Sequence, residues 1–256
     1  MKKIAILLGI VSLVAFGESE RGNNVNFGVG AFYRNSVYKQ KDNNEILPVP
    51  FVGVMYKDFY YEAPIELGYR FFKTENLTLS AYGRYNLYSG YKPKDLVDEY
   101  KDMDRRKDDF HIGLRERYKF SSTGLELASH VSGDVSGRSD GLLARMELNR
   151  LTQFSDKVFV QPYVAVEYMN SNYVDYYFGI TKDEAGRNIN DGKEYKADDS
   201  FNFEVGIRGF VDITKNFKLL ASAGYTRYGN GVADSPLVRD RDIFVVGGGV
   251  SYVIPF

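Results

Sequence analysis

Apolar and polar residues alternate one by one over long stretches of this chain. Across residues 59–72, Phe59, Tyr61, Ala63, Ile65, Leu67, Tyr69 and Phe71 hold the odd positions. Tyr60, Glu62, Pro64, Glu66, Gly68 and Arg70 hold the even ones. A period of two is the mark of a β-strand, whose successive side chains point to opposite faces. The closing stretch, 243–256, repeats it, with Phe244, Val246, Val250, Tyr252, Ile254 and Phe256 on one face. Similar segments fall at 27–33, 77–87, 110–120, 124–134, 141–151, 158–168, 201–211 and 217–229. Segment 46–56 holds Pro48 and Pro50, which cannot donate to a ladder, so it reads as a distorted or late-starting strand.

Alternation alone fits a soluble sandwich or a membrane barrel. Length separates them. Soluble strands average about 5–6 residues, whereas tilted membrane strands need about 9–11. The periodic segments here exceed the soluble mean. Composition points the same way: Tyr 21, Phe 18, Gly 25 and Pro only 7, with no Trp. No stretch after the N-terminus approaches the ~18 uninterrupted apolar residues of a membrane helix. The N-terminus itself reads as a signal peptide. Met1-Lys2-Lys3 is followed by an apolar run to Phe16, with small residues Ala15 and Gly17 at the minus-three and minus-one places. Residues 1–17 are therefore expected to be removed, leaving Glu18 first in a single barrel domain, 18–256. The chain has no Cys, so it is neither a lipoprotein nor disulfide-stapled. A net charge of −1 gives no sign of nucleic-acid binding.

The connections alternate. Those at 73–76, 121–123, 152–157 and 214–216 are short; those at 35–45, 89–109, 170–200 and 230–242 are long and polar, and 135–140 is intermediate in length but falls in a long-loop place. In outer-membrane barrels short turns face the periplasm and long loops face outward. Counted back from Phe256, this alternation holds as far as Phe72 and puts the C-terminus at the periplasmic side. Eleven periodic segments are counted, yet an even number is expected. Either 173–180 is a further strand or the proline-containing region hides one. The fold expected is all-β: an antiparallel transmembrane β-barrel of about 12 strands.

In a membrane barrel the polar face turns to the lumen. That places Glu62, Glu66, Arg70, Arg84, Arg115, Arg117, Glu126, Arg145, Glu147, Glu167, Glu204, Arg208 and Asp212 inside. Unpaired charges in a narrow interior are costly. They either pair and plug the barrel or line a small water-filled pore, and a barrel of this size lies between the filled and open kinds. The charge run at 94–109 reads as solvated loop. Residues 183–191 lack the regular carboxylate spacing of a Ca²⁺ loop, and no metal or cofactor is expected. His130 and Ser132 lie two apart on one face, as a base and nucleophile would. They resemble the His-x-Ser spacing of lipolytic outer-membrane barrels. Their face is the lumenal one, however, and no third partner is identifiable.

Asp234-Ser235-Pro236-Leu237-Val238-Arg239-Asp240, following Tyr225-Thr226-Arg227-Tyr228, resembles the MipA/OmpV family of outer-membrane proteins. Leu47-Pro48-Val49-Pro50-Phe51 with Tyr56-Lys57-Asp58-Phe59-Tyr60, and Tyr176-Tyr177-Phe178-Gly179-Ile180, agree in the right order. The resemblance covers nearly all of the mature chain. It implies an outer-membrane location, contact with outer-membrane lipid, and no enzymatic activity. It also implies a scaffold that interacts with a murein-degrading lytic transglycosylase and a murein synthase. A small-solute channel is the alternative, and a lipolytic enzyme the second alternative. In the loop itself Pro236 fixes its own φ and pushes Ser235 toward an extended conformation. Asp234, Ser235, Pro236 and Arg239 are expected to fold back over the barrel mouth, with Arg239 and Arg241 paired to carboxylates.

Overall fold

The computed structural model describes residues 22–62, 66–87 and 89–256. The expected signal peptide lies outside them. Among the described residues the chain forms β1 (Asn24–Asn35), β2 (Asn44–Tyr56), β3 (Phe59–Glu62), β4 (Glu66–Lys73), β5 (Leu77–Tyr85) and β6 (Phe110–Phe120). There follow β7 (Leu125–Asp134), β8 (Leu142–Asn149), β9 (Val158–Met169), β10 (Ser200–Asp212), β11 (Phe217–Arg227) and β12 (Asp242–Pro255). A two-residue piece, Thr152–Gln153, continues β8 along the same side of β9. Each strand is antiparallel to the next, and β12 pairs β1 from Asn24↔Pro255 to Arg34↔Val245. The result is a closed 12-stranded barrel.

One part of the sequence reading is corrected. Residues 59–72 are not one strand. Phe59 pairs Tyr69, Tyr61 pairs Leu67 and Glu62 pairs Glu66, so the chain reverses into a hairpin of β3 and β4. The reversal is invisible to periodicity because odd positions meet odd positions across it. Phe59, Leu67 and Tyr69 remain exposed on the outer face on both sides of the turn. This hairpin supplies the twelfth strand. Segment 173–180 does not: its core is a helix, α1 (Ser171–Phe178), capped by Asn170 Oδ1 accepting from the Tyr173 N–H at 3.1 Å. Nor does the proline-containing region hide a strand or begin late. It is the single, full-length β2, starting at Asn44.

The outer face is apolar. Phe27, Val29 and Tyr33 on β1, Phe203, Val205 and Ile207 on β10, and Phe244, Val246, Tyr252 and Ile254 on β12 are all exposed. Aromatics gather toward the ends of this band, as lipid interfaces favour. Short turns link the strands at the end that holds Phe256.

At the opposite end the long loops do not wave in solvent. They fold over the mouth into a cap with its own apolar core. Tyr38, Leu96, Val174, Phe178, Val232 and Leu237 are wholly buried there. Tyr38 stacks on Phe178 at 5.1 Å and meets Tyr91 edge-on at 5.0 Å. Two short helices, α2 (Lys182–Ala185) and α3 (Asn230–Ala233), belong to the same layer. Burying this much aromatic surface is the main favourable term open to segments with little ladder pairing of their own.

Candidate functional site

Strand parity delivers the lumenal charges into one another's reach. Glu66 on β4 is 1 % exposed and receives Arg84 Nε at 2.7 Å from β5 and Arg115 Nη1 at 2.7 Å from β6. The Tyr60 hydroxyl adds a bond to Glu66 at 3.2 Å. On the other side Arg145 of β8 binds Glu204 of β10 at 2.5 Å and Glu147 at 3.1 Å. Arg208 of β10 returns the link to Glu147. The Tyr163 hydroxyl donates to Glu204 at 2.6 Å, and Arg208 Nε donates to Gln161 at 2.8 Å. These are charge-assisted, largely multidentate bonds, the strong kind in a low-dielectric interior.

In the strand register Glu62 stands opposite Glu66 and Glu167 opposite Arg145, beside the two clusters. Arg117 pairs Glu126 at 3.0 Å, and Lys218 pairs Asp212 at 2.5 Å. Arg70 lies over the Tyr60 ring at 5.6 Å. Glu62 and Glu167 are buried on the lumenal face. One lumenal pair escaped the sequence reading: Arg34 with Glu45 at 3.0 Å, next to the mouth between β1 and β2. Not all of the lumen is polar. Phe32, Leu47, Val49, Phe51 and Met55 also face inward from β1 and β2.

The loop 228–241 is tied into the cap at each residue singled out by its motif. Asp234 caps α3, its N–H donating to the Asn230 carbonyl at 2.9 Å. Ser235 Oγ donates to the Phe178 carbonyl at 2.6 Å and accepts from the Leu237 N–H at 3.2 Å. Pro236 lies between this anchor and the wholly buried Leu237. Arg239 differs from expectation: its Nη2 donates to the Gln40 carbonyl at 2.6 Å, not to a carboxylate. Arg241 likewise donates to the Tyr228 carbonyl at 3.0 Å. Both arginines serve backbone acceptors of the turns that the cap brings beside them.

The strongest polar tie in the cap was not foreseen. Glu184, fully buried, takes Arg106 through two bonds of 2.9 Å and the Asp104 N–H at 2.9 Å. It also closes a capping box with Thr181. Burial alone would raise the Glu184 pKa; the hydrogen bonds from Arg106 and from the Thr181 and Asp104 amides outweigh it and hold it below the ordinary value. The Thr-x-x-Glu spacing at 181–184 is the sequence signal that marks this site.

The proposed pairing of His130 with Ser132 is corrected. Ser132 Oγ lies 3.2 Å from Nδ1 of His111, whose Nε2 lies 3.0 Å from Asp109. His130 instead sits edge-on to Tyr82 at 6.1 Å. A neighbouring strand, not the i+2 residue, supplies the imidazole: Ser132 pairs with Gly113, which has no side chain, and His111 lies two residues along the same face of β6. Asp109 also accepts from Asn86 at 2.8 Å and Ser139 at 2.6 Å. Asp134 accepts the N–H groups of Ser136, Arg138, Ser139 and Asp140. Among the described residues Asp109, His111 and Asp134 bring ligand atoms within 4.8 Å of one another. Their oxygen and nitrogen atoms are already committed to these bonds, which organise the 135–141 loop. Asp183 and Asp191 join no such group among the described residues.

A family model described as "MltA-interacting protein MipA" matches residues 27–254. The chain is 26% identical to the MltA-interacting protein of Escherichia coli (strain K12), over 98% of this chain and 99% of that one. It is 26% identical to the outer membrane protein OmpV of Vibrio cholerae, over 88% and 84%. It is 24% identical to a 24 kDa outer membrane protein of Pasteurella multocida, over 85% and 86%. Among solved structures, the COG4313 outer membrane channel from Pseudomonas putida F1 is similar with a TM-score of 0.45 and 11% identity, covering 92% of this chain and 97% of that one. The KdgM porin is similar with a TM-score of 0.39 and 8% identity, covering 90% and 98%.

Proposed function

The chain belongs to the family of the MltA-interacting protein MipA, outer-membrane β-barrels, and on that premise we propose that it is a non-enzymatic scaffold of the cell envelope. It would hold a lytic transglycosylase, and with it a murein synthase, at the inner surface of the outer membrane. The observation that carries this reading is the double tie of Arg145 to Glu204 and Arg208 to Glu147 under a cap with an aromatic core. A conduit needs a continuous polar path. This barrel spends its lumenal charges on each other and its loops on closing the mouth. What it offers at the periplasmic end is a fixed ring of short turns, including Lys57-Asp58 and residues 74–76, 121–124, 154–157 and 213–216.

Retention of a purified lytic transglycosylase on the immobilised, folded barrel tests the proposal. Retention that is lost when the periplasmic turns are replaced by unrelated sequences supports it. No retention overturns it. The channel alternative predicts discrete conductance steps in a planar bilayer, and a silent bilayer counts against it.

A further inference from the structure

The apolar outer face of the barrel has one break. Among the described strand residues, three charged side chains stand on that face. Arg227 ends β11 and Asp242 opens β12 at the mouth, and the two pair at 3.1 Å. The third, Glu116, lies inside the apolar band. On β6 it alternates with the lumenal Arg115 and Arg117, and it is exposed between the outward-facing Leu114 and Tyr118. Its register partners, Leu79 on β5 and Ser129 on β7, share its face. Neither the Glu116 nor the Ser129 side chain makes a hydrogen bond or ion pair with another described residue.

A carboxylate turned to hydrocarbon has no water to solvate it, and an ionisable residue within a membrane span calls for a partner. The depth of Glu116 indicates where that partner comes from. It stands four residues from Phe120, which ends β6 at the short turn to β7. Tyr118 and Phe120, edge-on at 5.0 Å, are this strand's share of the periplasmic aromatic girdle. Tyr118 is two residues from Glu116, about 7 Å along the strand. The headgroups of the periplasmic leaflet therefore lie just below the carboxylate.

A second copy does not supply the cation. Two copies sit in the membrane in one orientation, so Glu116 would meet groups at its own depth, where the outer face of the described strands has no Lys or Arg. About a two-fold axis it would meet Glu116 itself. Another protein would have to carry a lipid-facing cation of its own when alone, which is costly. A lipid ammonium reaches the site from the adjoining headgroup layer without that cost.

We propose that Glu116 seats the headgroup of an aminophospholipid of the periplasmic leaflet, whose primary ammonium donates to the carboxylate. Ser129, its Cβ about 4.5–5.5 Å away across the ladder, and Tyr118 offer hydroxyls to the phosphate and ester oxygens. The primary ammonium of phosphatidylethanolamine makes a charge-assisted hydrogen bond. The trimethylated ammonium of phosphatidylcholine has no N–H to donate, and phosphatidylglycerol has no cation.

The chain contains no Trp, so a single introduced one reports alone. Leu114→Trp lies beside Glu116, and Val205→Trp lies on the outer face of β10, four strands away. Each is folded into phosphatidylcholine liposomes that carry an equal minor fraction of one acyl-brominated lipid. Folding is verified by the heat-modifiable shift on gels. At Leu114→Trp, quenching is expected to fall in the order phosphatidylethanolamine, phosphatidylcholine, phosphatidylglycerol. At Val205→Trp the three are expected to quench alike. Adding Glu116→Leu, which continues the apolar face, is expected to abolish the order at Leu114→Trp. Equal quenching by the three lipids at Leu114→Trp, the same order at Val205→Trp, or an order that survives Glu116→Leu overturns the proposal. Leu127→Trp on β7, two residues from Ser129 on the same face, replaces Leu114→Trp if that variant does not fold.

Discussion

Arg145 on β8 reaches past β9 to place its Nη1 2.5 Å from Oε2 of Glu204 on β10. This is a bond across the curvature of the wall, not between adjacent strands, so it restrains the barrel's cross-section. Its partners Glu147, Arg208 and Tyr163 make it one shared network. Removing one member leaves opposite charge buried without compensation, which costs about 3–5 kcal/mol. Arg145→Ala is therefore expected to lower the urea midpoint for unfolding, read by the loss of the heat-modifiable gel shift. The Arg145→Ala, Glu204→Gln double variant is expected to recover part of that loss. Equal midpoints for wild type and Arg145→Ala would show that the network does not hold the lumen.

Much of this was legible in the chain, and the reasons for the rest are physical. The lipid-facing alternation and the short-long loop pattern carry the topology because one face of every strand must be apolar. The β3–β4 turn escaped because a reversal over an odd number of intervening residues preserves parity. The cap escaped because its core draws scattered residues from four loops, 36–43, 86–109, 170–199 and 228–241. Only Tyr173, Val174, Tyr177 and Phe178 show a local signal, the i, i+1, i+4, i+5 face of a helix. Partners of lumenal charges depend on the strand order and register, which one sequence does not print: the imidazole beside Ser132 comes from β6, not from its own strand.

Glu184 makes the cap sensitive to acid. Its pKa is held below the ordinary 4.5, so the unfolded carboxyl binds protons more readily than the folded one. The stabilisation it gives is complete above that ordinary value and is lost as pH falls through the depressed one. Cap opening, followed by acid-protease cleavage within 182–194, is expected to rise steeply on acidification below about 4.5. Glu184→Gln is expected to be cleaved readily at every pH, because Arg106 then lacks its buried partner. A cleavage rate by a neutral protease at pH about 7 that is the same in Glu184→Gln as in wild type would refute the role given to this pair.

Gly231 tests the contact between the last two long loops. A Cβ there would stand 2.1 Å from the Asp199 carbonyl oxygen and 2.6 Å from that of Asp198, both backbone atoms that cannot rotate aside. Gly231→Ala is expected to destabilise the cap by about 1–3 kcal/mol, the usual cost of overpacking. Ser235→Ala, which forfeits the bond to the Phe178 carbonyl, is expected to cost about 1 kcal/mol. Limited trypsin digestion at Arg239 and Arg241 reads both. The expected order of cleavage is Gly231→Ala, then Ser235→Ala, then wild type; cleavage of all three at one rate would separate this loop from the closure of the mouth.

The chain Ser132–His111–Asp109 has the order of a hydrolase relay, and its chemistry can be tested against its setting. Asp109 is fully buried, His111 is 1 % exposed and Ser132 is 6 % exposed. The Tyr173 ring stands edge-on over the imidazole at 6.1 Å, and Asp109 divides its acceptors among Asn86, His111 and Ser139. A nucleophile must meet its substrate, and an acyl ester would have to displace the cap to reach Ser132. The relay instead joins β6 and β7 to the loop that ends at Ser139. Ser132→Ala is expected to leave any ester hydrolysis by the purified protein unchanged. His111→Ala is expected to lower stability by about 1–3 kcal/mol, because it leaves buried Asp109 and Ser132 each short of one partner. Release of fatty acid from phospholipid that vanishes in Ser132→Ala, with the gel shift intact, would reverse this assignment and make the barrel an enzyme.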